Sequence, residues 1–273
     1  MTGRAPGRRA AFLAMHVPGD PLVVPNPWDV GSAQMLRAQG FRALATTSSG
    51  FAAAAGRGDG EPGRDASLAY AAALVACVDI PVTADLENGF GDTPAEVART
   101  VEAAVESGLA GCSVEDFTGR PDDPIHPLEA AVDRVTAAAE AAHRGAGLVL
   151  TARAENFLHG NPDLAGTIAR LQAFQEAGAD VLYAPGLTDL RDVRTVVSSV
   201  DRPVNVLARP GLHSVPALAA SGAARVSVGG ALMFAAYEAA AGIARQLLDG
   251  AELGCFDQAA AGARRLAEAR SAG

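Results

Sequence analysis

Eight short apolar runs, each followed by a longer stretch with helical periodicity, recur along this sequence, and no other feature constrains its fold as much. The runs are Pro21–Val24, Arg42–Thr46, Pro81–Ala84 and Gly111–Val114, then Leu148–Ala152, Asp180–Tyr183, Pro203–Val206 and Ala224–Ser227. Between them lie alanine-rich amphipathic stretches such as Pro94–Glu106, Leu128–Arg144, Asp163–Glu176 and Asp189–Val200. Such alternation predicts a parallel sheet, and eight repeats favour closure into a (β/α)8 barrel of the TIM type. A weak internal repeat agrees: Gly40, Gly108, Gly178 and Gly222 each stand between a helical pattern and a strand, where a left-handed residue ends the helix. Asp92-Thr-Pro-Ala-Glu96 reads as a capped first turn with acidic groups at the positive helix end. An open doubly wound sheet would want a GxGxxG turn after the first strand, and Val24-Pro-Asn-Pro-Trp-Asp29 supplies none.

The chain has 273 residues, 49% hydrophobic and 19% charged, which is ample for one large core, and no linker divides it. Residues 1–273 therefore read as a single barrel domain, with 231–273 as a C-terminal helical extension that packs on the barrel or on a neighbouring subunit. A net charge of −9 argues against nucleic acid or an anionic membrane as partner. No apolar stretch approaches the roughly 18 to 20 residues of a membrane span, and no signal-peptide core follows the basic N-terminus. Cys77, Cys112 and Cys255 lie far apart without zinc spacing, so a reduced, cytoplasmic protein is expected. All 22 basic residues are arginine. Without lysine there is no Schiff base, no anchored pyridoxal phosphate and no P-loop, so any carbanion made here needs another stabiliser.

In a barrel of this kind the active site lies at the C-terminal ends of the strands. Those ends carry Asp85 and Glu87 on the third run, Glu115 and Asp116 on the fourth, Arg153 and Glu155 on the fifth, and Asn205 on the seventh. Clustered carboxylates repel one another unless a cation sits between them, and an all-oxygen set suits Mg2+ or Mn2+. Asp85 and Glu87 lie two apart, which in an extended segment puts both on one side, within reach of one ion directly or through water. The competing reading of Asp85 and Glu115 is that they merely cap the following helices. Arg153 either forks onto a substrate carboxylate or phosphate, or pairs with Glu155 or Glu115. Ser48-Ser49-Gly50-Phe51 offers hydroxyls and amides to an anion. His126, His159 and His213 follow strands and are placed for acid–base work, whereas Cys112 reads as core.

The set Thr46-Thr-Ser-Ser-Gly50, Asp85-Leu-Glu-Asn-Gly-Phe-Gly91, Val114-Glu-Asp116, Ala152-Arg-Ala-Glu155, Glu176-Ala-Gly-Ala-Asp180 and Pro203-Val-Asn205 resembles the isocitrate lyase/phosphoenolpyruvate mutase superfamily over roughly residues 20 to 240. The resemblance implies an α/β barrel, a dimer or tetramer with C-terminal helices exchanged between subunits, and one Mg2+ ion. By position, Asp85, Glu87, Glu115 and Asp59 are similar to the metal shell, with Glu61 a competitor for Asp59. Ser48, Ser49, Gly50, Phe51, Arg153 and Asn205 are similar to groups that hold a substrate carboxylate. The loop Phe117–Pro127 lacks the lysine and cysteine of isocitrate-type lyases and also the phosphonomutase loop residues, and its three prolines suggest a stiff lid. The implied activity is Mg2+-dependent cleavage of a C–C bond next to the 2-oxo or 2-hydroxy group of a small dicarboxylate, through an enolate. Arg153, Glu115 and His126 are its expected catalytic groups, with Arg120 or a water competing with His126 as proton donor. A P–C bond enzyme and a non-catalytic barrel that binds 2-oxo acids are the alternatives.

Overall fold

The computed structural model describes residues 7–212, 214–250 and 254–271; His213 and the first six residues lie outside the described residues. The chain enters through α1 (Arg8–Leu13), which lies under the sheet, and then alternates: β1 (Leu22–Val24), α2 (Val30–Ala38), β2 (Leu44–Ala45), α3 (Ser48–Ala54), α4 (Gly63–Cys77), β3 (Val82–Asp85), α5 (Pro94–Glu106), β4 (Gly111–Glu115) and α6 (Leu128–Ala142). It continues with β5 (Val149–Arg153), α7 (Leu164–Glu176), β6 (Val181–Tyr183), α8 (Leu190–Ser198), β7 (Val204–Leu207), α9 (Val215–Ala220), β8 (Arg225–Ser227), α10 (Ala231–Leu248) and α11 (Cys255–Ser271). Every paired strand is parallel, in the order β1-β8-β7-β6-β5-β4-β3-β2. The seam between β1 and β2 is closed by the Ala45 N–H on Pro25 O at 3.1 Å. Above it Asn26 donates to Thr46 O at 2.8 Å and accepts from the Val228 and Gly229 amides at 2.9 and 3.0 Å, stapling three strand ends at the mouth. The expected (β/α)8 barrel is what the chain forms.

The two-residue period of a strand then sorts the side chains. On β5, Leu150 and Ala152 face the helices and join the main core, whereas Val149, Thr151 and Arg153 share the other face. Phe12 of α1 packs with Leu22, Val24, Ala45, Val149 and Val181 to plug the bottom of the barrel, and is 1% exposed. With the lower interior filled by apolar groups, the polar inward residues are left to the upper layers. The four glycines singled out above all take left-handed backbone, with φ between 85° and 103°, so they end α2, α5, α7 and α9 as expected. Capping boxes Asp29/Ser32 and Thr93/Glu96 start α2 and α5. In the single chain α11 packs on α2, and subunit exchange is not part of what one chain displays. Among the described residues no helix is long and apolar enough to cross a membrane.

Candidate active site

β3, β4 and β5 lie side by side, and their last residues, Asp85, Glu115 and Arg153, all point inward at the mouth. Arg153 is the hub. Its Nη1 donates to Asp85 at 2.9 Å and its Nε to Glu155 at 2.8 Å, its Nη2 lies 3.1 Å from Glu115, and its guanidinium sits 5.2 Å from the centre of the Tyr183 ring. The salt-bridge alternative for Arg153 is thus realised, with three carboxylates rather than one. Asp85 also takes the Ser48 hydroxyl at 3.1 Å, and its own amide donates to Thr46 Oγ1 at 2.8 Å. Asp59 lines the cavity with Ser48 and Asp85, whereas Glu61 does not and spends its carboxylate on the Gly58 amide at 2.7 Å, so Asp59 and not Glu61 joins the mouth.

The expectation that Asp85 and Glu87 share one side of an extended segment is corrected. The strand stops at Asp85, and Glu87 turns left-handed at φ 49°, followed by Phe90 at 55°. Non-glycine residues rarely adopt that region, and here the turn brings the Glu87 amide back onto Asp85 at 3.2 Å. Glu87 still faces the cluster. Burial, reinforced by the charges of Asp85 and Asp59, pushes its carboxyl up to about 7. Burial likewise raises Glu115 well above the carboxylate range, with Glu155 and Asp85 adding to it and Arg153 opposing, and burial raises Asp59. Five acids surround one guanidinium, so the cluster holds more carboxyl groups than Arg153 can neutralise.

Asp85, Asp59, Ser48, Ser49, Arg153 and Asn205 line a cavity of about 460 Å³, within the usual range for small-molecule sites. Gly50, Phe51 and His126 do not line it. The Gly50 amide donates to Thr47 Oγ1 at 3.2 Å and the Phe51 amide to Thr47 O at 3.0 Å, so both are spent in the first turn of α3. The Phe51 ring stacks on Tyr70 at 4.3 Å. These two residues therefore do not offer the donors expected of them. His126 is buried outside the cavity lining, its amide donating to Asp116 O at 2.9 Å. Burial and the charges of Arg134 and Arg120 lower its pKa. His159 stacks on Phe117 at 4.1 Å. The loop between β4 and α6 is closed on itself by a Phe117–Ile125 bridge and by the Thr118 amide on Pro124 O at 2.8 Å. Asn205 is buried with both ends of its amide used, on Ser227 at 3.0 Å and Arg225 at 2.9 Å.

Strand parity could have found Tyr183, Arg225 and Ser227, which share the inward face and line the cavity. Nothing local in the sequence points to Asn26. Asp116 and Arg170 pair at 3.1 Å, and Asp116 accepts the Glu155 amide at 2.8 Å, which fixes the end of β5 to that of β4.

An all-oxygen cluster of this charge has the chemistry to hold a hard divalent cation. Among the described residues no three acids, histidines or cysteines already converge as a cage. Mg2+ needs none, since it keeps several waters and takes one or two carboxylates directly.

A (β/α)8 barrel with an acid-rich mouth over a cavity of small-molecule size has the architecture of an enzyme. The chain belongs to the phosphoenolpyruvate phosphomutase family, whose model matches residues 12–248, within the isocitrate lyase/phosphoenolpyruvate mutase superfamily. That superfamily comprises Mg2+-dependent C–C and P–C lyases and mutases. The chain is 35% identical to the protein MT2054 of Mycobacterium tuberculosis, over 89% of this chain and 91% of that one. It is 30% identical to 2-methylisocitrate lyase of Escherichia coli K12, over 75% of this chain and 70% of the other. The solved structure of 2,3-dimethylmalate lyase superposes with a TM-score of 0.79 at 27% identity, covering 89% of this chain and 88% of that one.

Proposed function

We propose that this protein is a Mg2+-dependent lyase that cleaves a C–C bond next to the 2-oxo or 2-hydroxy group of a small dicarboxylate. The observation that carries the reading is the excess of carboxylate at the mouth, with Glu87 pushed up to about 7 beside Asp85 and Asp59. Asp85, Glu87, Glu115 and Asp59 would hold the ion. When bound, it supplies Lewis-acid stabilisation for the negative charge that develops as the bond breaks, the role an iminium cannot fill in a chain without lysine. Arg153 then has two duties: it neutralises Asp85, Glu115 and Glu155, and it presents a guanidinium edge to the substrate carboxylate beside Ser48 and Ser49. Asn205, fixed by Ser227 and Arg225, forms part of the cavity wall below. The 2-methylisocitrate and 2,3-dimethylmalate lyases among its relatives are support for the C–C reading.

The test is release of pyruvate, glyoxylate or phosphate with Mg2+ from oxaloacetate, 2-alkylmalates, methylisocitrate and phosphonopyruvate. Turnover of a dicarboxylate, lost with EDTA and in Asp85→Ala, is expected. Turnover of phosphonopyruvate alone would replace the reading with P–C chemistry, and activity surviving Asp85→Ala would end the metal assignment. The assembly that fits is a homo-oligomer, dimer or tetramer, with exchange of C-terminal helices. The support is apolar exposure on α10 and α11, where Tyr237 is 51%, Leu248 87% and Phe256 57% exposed.

A further inference from the structure

Around an eight-stranded barrel, β7 stands four strands from β3, so the segment after β7 faces the acid cluster from across the mouth. That segment carries Arg209. The residue is half-buried, it lines the cavity, and no carboxylate or other polar side chain engages its guanidinium among the described residues. The other two arginines lining the cavity already pair within the protein, Arg153 with three carboxylates and Arg225 with Asn205, whereas Arg209 brings a guanidinium with no such partner among the described residues. The backbone around Arg209 is fixed: the Ala208 amide donates to Ser227 O at 2.8 Å, the Leu212 amide to Arg209 O at 3.1 Å, and Gly211 turns left-handed at φ 97°. The lining also has an apolar part. Leu158 and Phe234, 39% and 51% exposed, line the same cavity together with Leu207 and Pro210.

A cavity with a carboxylate-rich pole at one end, an apolar wall along the side and an unpaired guanidinium at the other end fits a ligand with a matching order of groups. We infer that Arg209 is a specificity-determining residue that takes the second carboxylate of the substrate, while Leu158 and Phe234 cover an alkyl substituent on the carbon between the two acid groups. The favoured substrate is then an alkyl-substituted dicarboxylate rather than a monocarboxylic 2-hydroxy acid. A guanidinium forks onto a carboxylate through two N–H donors, which lysine or glutamine at this position would not reproduce. The inference rests on the proposed function in one respect only, that the acid pole holds Mg2+ and the first carboxylate.

The test uses the full chain with Mg2+ and three probes titrated calorimetrically: oxalate, which reaches only the acid pole, 2-ethylmalate, and 2-ethyl-2-hydroxybutyrate, its counterpart lacking the second carboxylate. Arg209→Met is expected to weaken 2-ethylmalate by roughly ten- to hundredfold, the scale of a hydrogen-bonded charge pair. Oxalate and the monocarboxylate should change less than twofold, and Arg209→Lys should restore part of the loss. Equal weakening of all three probes, or none of 2-ethylmalate, overturns the role of Arg209 and leaves the acid pole standing. Failure of oxalate to bind the wild-type protein overturns the acid pole, and the assignment of Arg209 falls with it. Because Arg209 lies on a surface loop, an unchanged Tm in Arg209→Met separates loss of affinity from loss of folding.

Discussion

At the scale of single residues, the mouth is governed by charge that has been placed before any ligand arrives. Glu87 illustrates this, held in a left-handed turn and pushed up to about 7 by burial and by Asp85 and Asp59. It must lose its proton before it can face a cation, so Mg2+ should bind more tightly as pH rises through 7. A hundredfold excess of Mg2+ over its Kd is expected to raise Tm by roughly 5 °C at pH 8 and by clearly less at pH 6. Scanning fluorimetry at the two pH values checks this, and equal shifts would mean that Glu87 is not part of the ion's surroundings. Which acids would face the mouth was legible from their places after the strand runs. The left-handed turn at Glu87 was not, because non-glycine residues take that conformation only when surrounding structure imposes it.

At the scale of elements, the barrel is fastened from below. Asp180, immediately before β6, accepts from Arg9 of α1 at 2.5 Å, from the Leu150 amide of β5 at 2.9 Å, and pairs with His143 after α6 at 3.0 Å. Asp180→Asn should cost roughly 2–3 kcal/mol, the scale of hydrogen bonds to charged groups, measured by urea denaturation; a loss under about 0.5 kcal/mol would show that α1 is not fastened this way. His16 sits in the same layer. Its Nδ1 pairs with Phe12 O at 3.0 Å while Nε2 is buried without a partner. Burial, with the nearby Arg225 charge, lowers its pKa to about 4. Between about 4 and the unfolded value of 6.5 the unfolded chain binds the extra proton, so stability falls as pH drops through that window. The maximum loss is about 3 kcal/mol. His16→Phe should flatten this part of the stability profile, and an unchanged acid slope would assign it elsewhere. The short helices α1 and α3 were not legible in the sequence, since six- and seven-residue segments show no full helical period.

At the scale of the whole molecule, α10 supplies the helix after β8 and α11 is added beyond the eight repeats. Tyr237, Leu247 and Leu248 leave an apolar face on α10 that a second copy is proposed to cover. Tyr237→Asp combined with Leu248→Asp is expected to shift the protein toward monomer in light scattering while oxalate binding with Mg2+ is retained. A monomeric wild-type protein would end the oligomer proposal. The sequence by itself determined the eightfold alternation, the glycines that end four helices, and the strand ends where Asp85, Glu115 and Arg153 stand, because periodicity and chain-turning chemistry are local properties. Only the tertiary structure decided that Arg153 binds three acids at once, that Asp59 rather than Glu61 reaches the mouth, that His126 and Phe51 lie outside the cavity lining, and that Arg209 lines the same cavity as Asp85. Each of these depends on which distant segments closure of the barrel brings within a few ångströms, and closure is set by packing across the whole ring.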